Sequence, residues 1–175
     1  MQTKEMAFAL LDLLLAHVHV TCAIYMIQFG KPDPDVTYVE RLSAYGVILN
    51  ESAAVAVIKT PDGYSLPGGG AHTGETAQDA LRRETIEETG YAPVILRDIG
   101  IAAQFTYSED NRLHYRKGGH FFLARFAGKI TEQVEADHEL IWCPADEAMR
   151  KMTHEYQAWA IREALRLGQL PAPSQ

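Results

Sequence analysis

One stretch, residues 69–91, constrains the chain more than any other. A run of glycines leads there into a helix-forming segment that carries Glu84, Glu87 and Glu88 near its end. At positions i, i+3 and i+4 the three carboxylates share one side of a helix. Like charges so placed destabilise a helix by about 0.2–0.5 kcal/mol per pair, and the negative end of the helix dipole adds to the penalty. A cation between them reverses the sign. With oxygen ligands and no soft donor nearby, the arrangement suits a hard divalent ion, Mg²⁺ or Mn²⁺.

The helix boundaries follow from local chemistry. Thr76, with Asp79 three residues on, forms a short-armed capping box, and Gly90 supplies a left-handed stop. At 3.6 residues per turn, Ala77, Ala80 and Leu81 lie in the stripe that continues into Glu84 and Glu88. The acids thus extend the buried side, which a solvated acidic face would not do. Arg82, Ile86 and Thr89 are expected on the opposite face. Ahead of the helix, Leu66 and Pro67 form a rigid entry to Gly68, Gly69 and Gly70. Without side chains, that loop lets backbone N–H and C=O groups approach a phosphate or a metal.

These residues resemble the Nudix hydrolase box, written G-x5-E-x7-R-E-U-x-E-E-x-G-U with U a bulky apolar residue. Gly69, Glu75, Arg83, Glu84, Glu87, Glu88, Gly90 and Tyr91 fall on its positions. Thr85 departs from it, standing where the family has an aliphatic residue. Ala77, Leu81 and Thr85 form an i, i+4 ladder expected to face a sheet, so the hydroxyl should cost packing and leave the chemistry alone. The resemblance implies that Glu84, Glu87 and Glu88 ligate divalent metal together with the Gly69 carbonyl, with Glu84 also a candidate base. It implies that Arg83 and Glu75 form an ion pair holding the loop against the helix, with a catalytic part for Arg83 as the minor reading. It further implies a carboxylate from a later loop, here one of Glu135, Asp137 or Glu139. The reaction implied is hydrolysis of a pyrophosphate bond in a nucleoside diphosphate linked to another moiety: a nucleoside triphosphate, an oxidised nucleotide or a dinucleoside polyphosphate. The alternative is a non-catalytic nucleotide-sensing Nudix domain, which would normally have lost a box glutamate; none is missing.

Composition narrows the partners. With 16 Lys and Arg against 23 Asp and Glu, the net charge is −7, so there is no general basic surface for nucleic acid polymers or an anionic membrane. A small nucleotide is still accepted where bound metal inverts the local field. Cys22 and Cys143 lack the spacing of a zinc site or disulfide framework, which fits a cytoplasmic protein. The apolar segment 6–27 is interrupted by Asp12, His17 and His19 and lacks a basic flank, against a membrane span or signal peptide. Residues 3–16 are expected to form an amphipathic helix or an upstream extension, and a homodimer is compatible with such a segment.

The expected organisation is an N-terminal apolar extension and linker over 1–35, a Nudix domain over 36–170 and a tail over 171–175. Strands are expected at 42–49, 54–59, 64–66, 94–107, 115–126 and 140–143, with a hairpin turn at 60–63. Helices follow at 145–152 and after Thr153 as cap, the latter burying Tyr156, Trp159, Ala160, Ala164 and Leu167. The fold class is α/β, an α/β/α sandwich around a mixed β-sheet, as the resemblance also implies. For the substrate, Gly68, Gly69, Gly70, Lys59, Phe105, Tyr107 and His120 are the candidates, with Tyr115 and Phe121 as further aromatics and Arg112, Arg116 and Lys117 as further cations. Tyr107 lies 16 residues beyond Tyr91, a spacing that resembles dinucleoside polyphosphate hydrolases of the family.

Overall fold

A computed structural model describes residues 26–110 and 112–168. The expectations for residues 1–25, including His17, His19 and Cys22, and for the 171–175 tail lie outside the described residues. In chain order the elements are β1 (Ile27–Phe29), β2 (Val39–Ile48), β3 (Val55–Thr60), β4 (Gly63–Ser65), β5 (Gly68–Gly70), α1 (Ala77–Thr89), β6 (Tyr91–Ser108), β7 (Leu113–Lys129), β8 (Glu139–Cys143), α2 (Ala145–Lys151) and α3 (Glu155–Gly168).

The strands form a five-stranded sheet in the order β1-β6-β7-β2-β5 and a three-stranded sheet in the order β4-β3-β8. The larger one is mixed: β1 runs parallel to β6 and β2 parallel to β7, whereas β6–β7 and β2–β5 are antiparallel. Alternation along β7 shows what lies on each face. Phe121 packs with Tyr156, Ala160, Ile161 and Ala164 of α3, while its neighbour Phe122 packs with Ala80 and Leu81 of α1. The expected α/β/α sandwich is therefore present, with a helix on either side of a pleated sheet. β3 reads Val-Ala-Val-Ile and all four side chains are fully buried, the continuous apolar run of a strand covered on both faces.

Several local expectations change. Gly68–Gly70 is an edge strand rather than a loop, paired with Ser43–Tyr45. Ile27–Phe29, placed in the extension by composition, pairs with Ala102–Gln104 and closes one edge of the sheet. Thr153 does not cap α3, because its hydroxyl accepts the Tyr64 N–H at 3.0 Å and ties the β3–β4 hairpin to the helix start. Thr89 is 4% exposed rather than on an outer face; its hydroxyl donates to the Thr85 carbonyl and accepts the Tyr91 N–H, so its polar atoms are satisfied within the turn. Cys143 is a buried free thiol. Among the described residues, no helix is long and apolar enough to cross a membrane.

Candidate active site

α1 is fixed at both ends before its acids matter. The Thr76 side chain accepts the Asp79 N–H, a cap worth about 1 kcal/mol. Gly90, at φ 75°, closes the other end in the left-handed conformation, its N–H donating to the Ile86 carbonyl. Leu81 is fully buried against the sheet, contributing about 1.5–3 kcal/mol. The last carbonyls of a helix have no partner within it. Here the chain beyond β7 supplies them: Ile130 N–H donates to the Gly90 carbonyl at 2.9 Å, and Val134 N–H to the Glu87 carbonyl at 2.9 Å. That closure carries Glu135 and His138 to the end of α1.

The carboxylates are graded in exposure, with side chains 39% exposed for Glu87, 17% for Glu84 and 5% for Glu88. Arg83 organises the outer part of the group. Its Nε and Nη2 donate to the two oxygens of Glu75 at 3.0 and 2.9 Å, and Nη1 reaches Glu84 at 2.7 Å and Glu87 at 3.1 Å. Nη2 also donates to the Gly70 carbonyl at 2.9 Å, tying β5 to the helix. Glu75 accepts the His72 N–H as well, and the Arg83 guanidinium above all holds its carboxyl down at about 2. The guanidinium fork suits such bidentate geometry. On the inner side, Glu88 accepts the Gly68 N–H at 2.8 Å, yet burial pushes its pKa well above the ordinary carboxylate value, with Glu135, Glu84 and Glu87 adding to the shift. A Cβ on Gly69 would sit 2.5 Å from a Glu84 carboxylate oxygen, so a side chain there would displace that carboxylate from its place on the strand.

The donor set fits a hard divalent cation. One ligand atom from each of Glu88, Glu135 and His138 lies within 4.8 Å of the others. His138 Nδ1 is 2.5 Å from Glu135 and 3.5 Å from Glu88. Neither Glu135 Oε2 nor His138 Nδ1, both buried, has an aligned hydrogen bond. Among the described residues their one close contact is with each other, and a cation among them would give both a further partner. Glu84 and Glu87 lie on the same helix as Glu88, further carboxylates at this end of α1 that a cation would find.

The other candidates separate. Of the three acids left open by the sequence, only Glu135 joins the α1 group. Asp137 is exposed, and Glu139 pairs with Lys59 at 2.8 Å, which commits that lysine to the β3–β8 ladder. Phe105, Tyr107 and His120 lie on the α1 face of the large sheet. Register puts His120 beside Ala44 and Phe105 beside Arg116. His120 stacks on Phe122 and contacts Asp98 at 2.7 Å, Phe105 meets Tyr38 edge-on, and Tyr107 is 52% exposed with its ring against His114. Phe121 is core, and Arg116 pairs with Glu40.

On the opposite face, beyond the start of α3, lies a cleft of about 340 Å³ lined by Arg41, Ser43, Tyr45, Gly70, Ser108, Tyr115 and Lys117. Its size falls within the about 300–1,000 Å³ of small-molecule sites. Of these, sequence reading had singled out only Gly70, Tyr115 and Lys117. The rest were findable only through the shared parity of residues 41, 43, 45, 115 and 117, once the β2–β7 register is known. His138 was missed too, although its i+3 spacing from Glu135 is a weak ligand signal.

Comparison with known proteins agrees with this geometry. The NUDIX domain family model matches residues 39–164. A Bacillus subtilis (strain 168) protein provisionally named an 8-oxo-dGTP diphosphatase is 34% identical over 74 residues, covering 41% of this chain and 50% of that protein. The 8-oxo-(d)GTP phosphatase of Mycolicibacterium smegmatis (strain ATCC 700084 / mc(2)155) is 33% identical over 102 residues, covering 57% of this chain and 30% of that one. The chain thus spans half or less of the length of these two curated relatives. In structure, the MutT protein of Methanosarcina mazei Go1 superposes with a TM-score of 0.60 at 18% identity, covering 78% of this chain and all of that one, a likeness of fold. With the box acids gathered at the end of α1 and the family model spanning most of the chain, this protein belongs to the NUDIX domain family.

Proposed function

We propose that this chain is a divalent-metal-dependent pyrophosphohydrolase acting on a nucleoside diphosphate linked to another moiety, with nucleoside triphosphates, oxidised nucleotides and dinucleoside polyphosphates as the substrate classes. The observation that carries the reading is the grouping of Glu88 with Glu135 and His138 at the end of α1, with Glu84 set against Gly69 of the glycine strand. The names of the two curated relatives favour an oxidised guanine nucleotide within that class.

Bound there, Mg²⁺ or Mn²⁺ supplies charge neutralisation for the pyrophosphate and polarises its phosphoryl oxygens. The chain's own residues do the rest. Glu87 and Glu88 hold ligand charge in place. Glu84, set against Gly69, would take the proton of a water that attacks one phosphorus as the bridging P–O bond breaks and the phosphate on the other side departs. Arg83 is a positioning residue: through Glu75 and the Gly70 carbonyl it locks the strand and the acids into one geometry. The cleft beside Gly70 receives the remainder of the nucleotide.

A panel of GTP, 8-oxo-dGTP and diadenosine tetraphosphate, assayed with Mg²⁺ and with Mn²⁺, tests the proposal. Hydrolysis of at least one at a pyrophosphate bond is expected. Binding without turnover across the panel would replace the enzyme by a nucleotide sensor.

A further inference from the structure

Two cations stand side by side in the cleft, and among the described residues neither has a carboxylate partner. Arg41 and Lys117 are register partners on the adjacent parallel strands β2 and β7, so both project from the α3 face. Among the described residues, the contact of the Arg41 guanidinium is the Tyr115 ring, 5.3 Å from its centroid. Lys117 Nζ lies 2.9 Å from His154 Nε2. The ammonium must be the donor in that bond, so the imidazole accepts as a neutral ring; burial first and Lys117 second hold the His154 pKa down at about 4. Elsewhere Lys59, Arg83 and Arg116 each face a carboxylate. Like charges directly opposite on paired strands are destabilising, and burial and Arg41 together lower the Lys117 pKa. A fold that sets an exposed Arg41 beside a half-buried Lys117 at the wall of a cleft has left a place for an anion.

The position of the cleft says which anion. Ser43 is in register with Gly70, and Arg41 is two residues further along the same face, about 7 Å away at the rise of a strand. The cleft therefore runs from the two cations to the glycine strand that Arg83 holds against the box acids. We propose that Arg41 and Lys117 form a phosphate-binding subsite, on the sheet face opposite Phe105, Tyr107 and His120, which holds a phosphate of the substrate other than the one attacked at the α1 acids. Tyr45, Tyr115 and Ser43 complete its wall. The identity of the molecule carrying that phosphate rests on the proposed pyrophosphohydrolase function; the anion site itself does not.

The test uses the full chain in excess EDTA, where no turnover occurs, with inorganic tripolyphosphate as the probe. Calorimetric titration should show binding to the wild type. Lys117→Gln and Arg41→Gln should each weaken it about ten- to hundredfold, the loss expected of one charge-assisted hydrogen bond, while Lys117→Arg recovers part of it and Arg166→Gln, at an exposed cation paired with Glu163 on α3, leaves it unchanged. Melting temperatures on the same preparations confirm that each variant folds. Should either variant fail to fold, amide chemical-shift changes in the wild type give the answer, since Arg41, Ser43 and Lys117 should move with added tripolyphosphate. No binding to the wild type, undiminished affinity in the two folded Gln variants, or shifts confined to α1 would overturn the subsite. A substrate panel without turnover would remove the hydrolase reading and leave this result standing.

Discussion

The box acids and the Arg41–Lys117 pair pose the same electrostatic problem with opposite signs and resolve it differently. Four carboxylates, Glu75, Glu84, Glu87 and Glu88, crowd one end of the molecule, yet a single guanidinium binds three of them and a backbone carbonyl besides. Among the described residues the two cations meet a ring and a neutral imidazole instead of a carboxylate. Internal neutralisation fixes geometry, and that is what a metal cradle needs before any ion arrives. The absence of internal neutralisation leaves a demand that a ligand can meet. Glu88 lies between these cases: buried and raised in pKa, it is held by one backbone N–H, with the like charge of Glu135 and the His138 ring beside it.

Breaking the acidic side should give the largest effect. Glu87→Gln and Glu88→Gln are each expected to lower kcat by about 10²–10³-fold, the usual loss when one charge-stabilising group is removed from an active site, with both proteins still folded by circular dichroism. Near-normal rates in both would reject the metal assignment.

The Arg83–Glu75 pair sharpens the comparison through pH. The Glu75 carboxyl is held down at about 2, below its ordinary 4.5, chiefly by the bonds from Arg83. A lowered carboxyl pKa stabilises the fold above pH 4.5, and that contribution fades as pH falls towards 2. Urea unfolding should therefore show wild type more stable than Glu75→Gln at neutral pH, with the gap narrowing steadily below pH 4.5. A gap independent of pH would mean that the pair acts through packing alone.

A smaller effect is expected at the one departure from the box. Thr85 is fully buried and its hydroxyl has no hydrogen-bond partner among the described residues. Thr85→Val keeps the shape and removes the orphaned oxygen, so it should stabilise the protein by about 1 kcal/mol with unchanged kcat. Loss of stability would show that the hydroxyl is satisfied in solution.

The smallest effect belongs to the residue that the sequence favoured for substrate. Tyr107 is half exposed and on the far face from the cleft. Tyr107→Ala should change stability by about 0.5 kcal/mol or less and leave KM unchanged. A large rise in KM would move the nucleotide to the other face of the sheet and weaken the case for the Arg41–Lys117 subsite.

That reversal shows where legibility ended. The α1 helix, its cap at Thr76, its stop at Gly90 and the burial of Leu81 and Thr85 were all readable, because helical periodicity and capping act within a few residues. Which later side chains share a face was not. β6 shifts register against β7 at Ala92/Pro93, Ile95/Arg97 and Asp98/Gly100, and each one-residue shift exchanges the two faces. Aromatic spacing alone could not follow three such changes to Phe105 and Tyr107. The choice among Glu135, Asp137 and Glu139 was equally hidden. It depends on amides of the 130s segment capping the Glu87 and Gly90 carbonyls, a contact between segments some 40 residues apart that leaves no periodic trace.

The most direct test of metal-dependent hydrolysis at the α1 acids is one continuous assay. Product release from whichever nucleotide the protein turns over is followed with Mg²⁺ present, then with EDTA in excess, then with Mg²⁺ restored. Turnover should stop on chelation and return with the ion, and the Glu87→Gln variant should run near the chelated rate throughout. Turnover that continues undiminished in EDTA would contradict the account.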